Sequence, residues 1–377
     1  MNLDLTPEQE LVRQTVRAFA EERVAPVAEE LDRERRFPYE LVAELAELGL
    51  MGMTIPEAYG GGGTDTVSYA LAVEELTRID SSVAITVAAH HSLGTLPIAN
   101  FGSGEQKRQW LPDLASGRRL AAFGLTEAGA GSDAGATRTA ARLEGGEWVI
   151  DGSKIFITNA GTEITACVTI TALTGDGEIS NLIVPNGTEG YAISPPLDKL
   201  GWRASDTREL WFRAARVPEG NLLGPRGRGL AQFMQILDGG RISVAAMGVG
   251  LAQGAYDLAA AHAGHRQQFG RPIKEFQAVR FALADTATEI EAGRALVVRA
   301  AWLKDQGRPF GREAAMAKLY TGLLSNRAVN VALQVHGGYG FMDDYPISRL
   351  YRDQKILEIG EGTNEVQRMV IARHLGL

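Results

Sequence analysis

The chain has 377 residues, 45% hydrophobic and 22% charged, which is enough apolar content to bury a core spread over two or three domains. Its 46 acidic against 38 basic residues leave a formal net charge of −8, which excludes a nucleic-acid backbone as the main partner, since that binding draws on a basic surplus. Cys167 is the single cysteine, so an internal disulfide, a CxxC redox pair and a Cys-rich zinc site are all excluded and a reducing compartment fits.

The N-terminal residues lack a basic stretch followed by an apolar run, and no later segment stays apolar long enough to cross a bilayer. The expected localisation is cytoplasmic, with no membrane partner. Thr6-Pro7-Glu8-Gln9 opens a helix: Thr6 caps, Pro7 suits the first turn and Gln9 completes a capping box. Leu11, Val12, Val16 and Phe19 then form an apolar stripe at helical spacing. A second helix is expected from about Tyr39 to Leu48 with Gly49 closing it, and Gly60 to Gly63 reads as a loop. Alanine-rich stretches over 70–76 and 84–90 continue the helical texture, which closes near Trp110-Leu111-Pro112.

From about Leu120 the texture changes. Residues 148–157 read as two strands joined by an Asp151-Gly152 hairpin turn, 164–173 are rich in Thr, Val and Ile, and 209–214 form another short strand. After Asn221-Leu222-Leu223-Gly224-Pro225, long Ala/Leu/Val-rich stretches predict a helical bundle. The expected fold class is α+β: an N-terminal helical domain over 1–118, a middle β-barrel-like domain over 119–226 and a C-terminal four-helix bundle over 227–377.

Gly129-Ala130-Gly131-Ser132-Asp133-Ala134 superficially satisfies a dinucleotide GxGxxA pattern, but a strand rather than a helix follows it and no βαβ unit surrounds it. The same run reads either as a tight loop or as glycine N–H groups and hydroxyls placed for a cofactor's phosphates. His336 and the pair His90-His91 have no partners at metal-ligand spacing, so no metal is assigned. There is no GxSxG elbow to anchor hydrolase chemistry. Glu361 lies between Gly360 and Gly362, where the backbone turns sharply; alone, such a residue is ordinarily a solvated loop carboxylate.

Five blocks in order change that weighting: FGLTEAGAGSD (Phe123 to Asp133), KIFITN (Lys154 to Asn159), RQQFGRPI (Arg266 to Ile273), QVHGG (Gln334 to Gly338) and EGTNEVQ (Glu361 to Gln367). Over nearly its whole length the chain resembles the acyl-CoA dehydrogenase family, in its short-chain or branched short-chain type. The resemblance implies FAD as cofactor, with Phe123, Leu125, Thr126, Gly131 and Ser132 lining the flavin and its pyrophosphate and Phe156, Ile157 and Thr158 covering the ring. It implies that Arg266, Phe269 and Gln277 reach FAD of a neighbouring subunit, that Gln334, Val335, His336, Gly337 and Gly338 meet its adenosine half, and that Thr363 and Glu365 return to the flavin. Acyl-CoA would be held by Ser132, Asp238, Arg241 and Gly362. Glu361 would be the catalytic base, the assembly a homotetramer, and an electron transfer flavoprotein the acceptor. An acyl-CoA oxidase using oxygen and a non-catalytic acyl-CoA-binding module are the rival readings. Gly360, Phe156 and His262 depart from the family's frequent aromatic, Trp and Tyr at those positions, and Gly240 stands where some members carry their base, leaving Glu361 without a rival.

Overall fold

The computed structural model describes residues 4–377. Helix α1 spans Pro7–Phe19, and both halves of its capping box form: the Gln9 N–H donates to Thr6 Oγ1 at 3.2 Å while the Thr6 N–H donates to Gln9 Oε1 at 3.0 Å. A wider π turn over Ala20–Val24 leads to α2 (Ala28–Glu34), a short helix that sequence patterning did not anticipate and that buries Ala28, Leu31 and Asp32. Helix α3 (Tyr39–Glu47) ends before Gly49, whose φ of 74° takes the chain out of the helix. Helices α4 (Thr66–Ile79) and α5 (Ser81–Ala88) are capped by the carboxylates of Asp65 and Asp80. Two more helices, α6 (Leu96–Phe101) and α7 (Gly104–Ala115), complete this region; Pro112 lies inside the last turn of α7 rather than ending it.

The middle of the chain forms strands β1 (Leu120–Gly124), β2 (Ala140–Glu144), β3 (Glu147–Thr158), β4 (Thr165–Gly175), β5 (Glu178–Pro185), β6 (Tyr191–Ile193), β7 (Thr207–Pro218) and β8 (Leu222–Leu223). They make one sheet in the order β6-β7-β3-β2-β4-β5-β8, with β1 added parallel to β4. The expected Asp151-Gly152 hairpin is not there. Residues 147–158 are one strand, and the turn lies at Gly145-Gly146, whose φ values of 61° and 85° suit a two-residue hairpin loop. Gly152 instead marks a bulge where β3 changes register against β7; a Cβ there would lie 2.6 Å from Thr139 Cα.

A small antiparallel turn, β9 (Gln267–Gln268) and β10 (Arg271–Pro272), separates α8 (Gly229–His265) from α9 (Gln277–Asp305). Helices α10 (Gly311–His336), α11 (Pro346–Gln354) and α12 (Asn364–Leu375) follow. The middle of α8 is buried on almost every face, from Ile242 through Ala255, because α4 packs on one flank and α9 and α10 on the others. That explains its even apolar pattern, which shows no single hydrophobic stripe. One continuous core joins α1, α4 and α5 to the bundle, while the sheet keeps a separate core around Trp148, Ile150, Leu182 and Phe212. No described helix is long and apolar enough to cross a membrane.

Candidate active site

After α11 the chain makes a short helical turn over Lys355–Glu358, then turns again at 360–362 before Thr363 caps α12. The turn is unusual in where its strain falls. Glu361 itself has a left-handed φ of 52°, with Gly362 at 92°, so the flanking glycine on one side only shares the conformation. A non-glycine residue there costs about 1–2 kcal/mol and persists only where its surroundings hold it. They do: Gln367 Nε2 donates to the carbonyls of Gly362 at 2.9 Å and Glu361 at 3.3 Å, and Lys318 Nζ donates to Gly362 O at 2.8 Å.

The strain aims the carboxylate at α8. The residue as a whole is half-buried, but Glu361 Oε2 is shut away from solvent with no hydrogen-bond partner among the described residues. It fills the space that a side chain at Gly240 would occupy; a Cβ there would lie 2.1 Å from it. Burial pushes the carboxyl pKa up to about 7, with the charges of Arg241 and Lys318 pulling the other way. Arg241 is itself 3% exposed and pairs with Asp238 one turn earlier, leaving its Nε unpaired. The fold therefore brings Glu361, Gly362, Arg241 and Asp238 to one place. Tyr69 of α4 stands beside them, its hydroxyl donating to Ala88 O at 3.4 Å and its phenol held protonated by burial and by the Glu361 charge.

The middle domain supplies an apolar wall against α8. Phe123, at the end of β1, stacks on Phe233 of α8 with ring centroids 4.8 Å apart, and Leu125, Leu93 and Leu237 pack around the pair. Beyond this apolar wall the hydroxyls of Thr126, Ser132 and Thr158 hydrogen-bond to no group among the described residues, and a Cβ at Gly131 would meet no atom within 4 Å. Phe156 has a left-handed φ of 64° that turns its ring out of the strand, leaving the side chain 65% exposed. Ile157 is buried in the sheet core and offers only its backbone to this surface.

Two residues inside the recognised blocks hold this loop, and sequence reasoning passed over both. Lys154 is fully buried, and its ammonium donates to Glu127 Oε1 at 2.7 Å, to Leu125 O at 3.1 Å and to the hydroxyls of Thr137 and Thr171, each at 3.0 Å. Glu127 also accepts the Arg138 and Thr139 N–H groups at 2.7 and 3.0 Å. Burial works to raise the Glu127 pKa, yet Lys154 and Thr137 outweigh it and hold the group down to about 2. The pair pins both ends of the loop that carries Gly131 and Ser132. Its only signal in the sequence was a lysine interrupting an apolar strand.

Arg266, Phe269 and Gln277 face outward, Phe269 with 93% of its surface exposed and φ of 52°. Arg266 makes no ion pair among the described residues; its guanidinium carbon lies 5.4 Å from the centre of the Tyr339 ring. Taken alone it reads as a surface salt bridge, and the structure replaces that reading with a cation–π contact. This contact joins the Arg266 segment to the Gln334–Gly338 segment, where Gln334, Gly337 and Gly338 are exposed and Val335 half-buried. His336 is buried, stacked on His262 at 4.4 Å and bonded through Nδ1 to Ala332 O at 2.7 Å. Thr363 accepts the Val366 N–H as the α12 cap, and Glu365 is exposed and paired with Arg368. His90 and His91 are both buried; His90 Nε2 bonds to Leu114 O at 2.9 Å and His91 Nε2 to Thr54 Oγ1 at 2.8 Å.

Three family models match the chain: acyl-CoA dehydrogenase N-terminal domain over residues 6–118, middle domain over 122–215 and C-terminal domain over 227–376. A probable acyl-CoA dehydrogenase of Bacillus subtilis is 52% identical over 380 residues, covering 100% of both chains. Butyryl-CoA dehydrogenase from Megasphaera elsdenii superposes with a TM-score of 0.97 at 41% identity, covering 100% of both chains. A chain from structural work on the electron transferring flavoprotein of Acidaminococcus fermentans and flavin-based electron bifurcation gives a TM-score of 0.97 at 43% identity and covers 100% of this chain and 99% of that one. With its three regions matched and a relative 52% identical over the whole chain, the chain belongs to the acyl-CoA dehydrogenase family.

Proposed function

We propose that the protein is an FAD-dependent short-chain acyl-CoA dehydrogenase that converts a saturated acyl-CoA to its trans-2-enoyl-CoA, with Glu361 as the base. The observation that carries this reading is the Glu361 carboxylate: buried, unpaired, packed on Gly240 and held near neutrality, so that it is available as a base at working pH.

The residues present suit a flavin. An exposed aromatic ring at Phe156, three hydroxyls without partners among the described residues at Thr126, Ser132 and Thr158, and open space over Gly131 form a surface for a planar, polar-edged group. Arg266 and the exposed 334–338 segment suit its anionic and adenosine parts, reached from a neighbouring subunit of a homotetramer. When bound, FAD supplies the acceptor for the hydride that leaves the β-carbon.

The chain's own residues do the rest. Glu361 Oε2 takes the proton from the carbon next to the thioester. The Glu361 N–H donates to no backbone or side-chain acceptor among the described residues, which leaves it free for the thioester oxygen as negative charge develops there. Arg241, paired with Asp238, places a fixed positive charge beside the carboxylate, and the Phe123–Phe233 wall keeps water from the reacting carbons. An electron transfer flavoprotein would be the partner that takes the electrons from the protein. Support for a short acyl chain and for this acceptor comes from the likeness to the butyryl-CoA dehydrogenase and to the chain from work on an electron transferring flavoprotein.

The test is Glu361→Gln. The variant keeps FAD and still binds butyryl-CoA, but reduces its flavin at least about 10³-fold more slowly, the scale of a lost general base. Reduction at the wild-type rate would move the base to another residue.

A further inference from the structure

Lys318 is a fully buried cation on α10, set among buried alanines at 314, 315 and 317. A lysine in such packing costs several kcal/mol of desolvation unless charged or polar groups compensate. Its single hydrogen bond among the described residues goes to Gly362 O at 2.8 Å, the carbonyl that follows the strained Glu361, although an ammonium carries three donors. The charged groups that face it are Glu361, Glu358, Glu365 and Arg241. Two of those carboxylates are occupied. Glu358 accepts N–H groups from Asn326, Gln354 and Lys355, and Glu365 pairs with Arg368 in solvent. Among the three, Glu361 alone has a buried, unpartnered oxygen.

We propose that Lys318 is a positioning residue for proton abstraction: through the Gly362 carbonyl it locks the left-handed turn that aims Glu361 at Gly240, and through its charge it keeps that carboxylate ionisable in a buried site. This rests on Glu361 being the base. Arg241 cannot do the same work alone, because its guanidinium already pairs with Asp238 and faces both carboxylates. Lys318 approaches from the opposite helix, bonded to the turn itself. Burial lowers the Lys318 pKa to about 8 while Glu361 and Glu358 raise it, so the ammonium persists across the range in which Glu361 ionises.

The test is Lys318→Met, close in size and without charge, read by anaerobic flavin reduction with butyryl-CoA from pH 6 to 9. In the wild type the acid limb is expected to have its midpoint near 7, where the buried Glu361 carboxyl titrates. In the variant that midpoint moves up by about one pH unit or more, so reduction at pH 7 is at least roughly fivefold slower and recovers toward pH 9, while butyryl-CoA affinity changes little. A rate that falls equally at every pH, with the midpoint unmoved, overturns the proposal, because a merely structural role gives that result. If the variant does not retain flavin, a double-mutant cycle with Glu361→Gln by urea denaturation at pH 8 reads the same coupling without cofactor. Lys318→Met must destabilise the wild-type protein more than it destabilises the Glu361→Gln variant, and equal losses overturn the proposal. An active Glu361→Gln single variant would instead sink the base assignment and leave the cycle to judge Lys318 on its own.

Discussion

Replacing Glu361 by Gln should make the folded protein more stable, and only above a defined pH. The Glu361 carboxyl is raised from an ordinary 4.5 to about 7 because its charged form is buried without a hydrogen-bond partner. A raised carboxyl pKa means the fold favours the protonated acid. The stability this group contributes is fully present below about 4.5 and is lost as pH rises through 7. The interval from 4.5 to about 7 corresponds to roughly 3 kcal/mol as an upper figure, at 1.36 kcal/mol per pH unit. Gln keeps the shape and carries no charge, so it avoids that loss. Urea midpoints of the two proteins, at one protein concentration and with equal slopes, should nearly coincide at pH 4.5 and separate in favour of Glu361→Gln by pH 8. A separation of the same size at both pH values would refute the reasoning, since the effect would then come from packing and not from a buried charge.

Three further perturbations follow from the same geometry. Gly240→Ala should fold, because the clashing atom is the mobile end of Glu361, but displacing that carboxylate by about 1 Å should lower kcat on the order of 10²-fold; an unchanged rate of flavin reduction would show that the carboxylate does not act from this slot. Lys154→Met leaves Glu127 buried without its cation and should cost about 3–5 kcal/mol in urea unfolding together with flavin content; retained stability would mean that the Glu127–Lys154 pair does not hold the loop. Arg266→Ala should lower FAD occupancy of the purified protein, measured by the ratio of flavin to protein absorbance. A fully flavinated variant would reduce Arg266 to the Tyr339 contact that the structure already shows.

Helix ends and the order of the three regions were legible in the sequence because caps and turn glycines act locally: Thr6 with Gln9 needs only its own neighbours to form the capping box. The β3 segment shows where local reasoning fails. Asp-Gly is a sound hairpin signal, yet Gly152 is needed for a bulge against β7 and for close approach to Thr139, and both partners are distant in sequence. Helix α2 was missed because seven residues carry too few turns to show a period.

The site divides in the same way. Glu361, Arg241 and Asp238 were expected from the family resemblance and the fold brings them together, but Gly240 carried only a negative signal, the absence of a rival base. Its positive role, as the space into which the Glu361 oxygen packs, exists only once α8 and the 360–362 turn face each other. Lys318 was invisible for a related reason: in sequence it is one lysine on an ordinary helix, and only the fold buries it against Gly362 O. Gly360 stands where the family frequently has an aromatic residue, and a Cβ there would lie 3.3 Å from Ile356 O, so backbone already occupies part of that space.

The most direct test of the central claim is an anaerobic titration of the purified yellow protein with butyryl-CoA, following the flavin absorbance and the acyl product together. The account predicts stoichiometric bleaching with formation of crotonyl-CoA, the trans-2-enoyl thioester, and return of colour on adding an electron transfer flavoprotein as acceptor. Rapid recolouring in air without that acceptor would make the protein an oxidase. A spectrum that stays unchanged with butyryl-CoA and with every other acyl-CoA would contradict dehydrogenation at this site altogether.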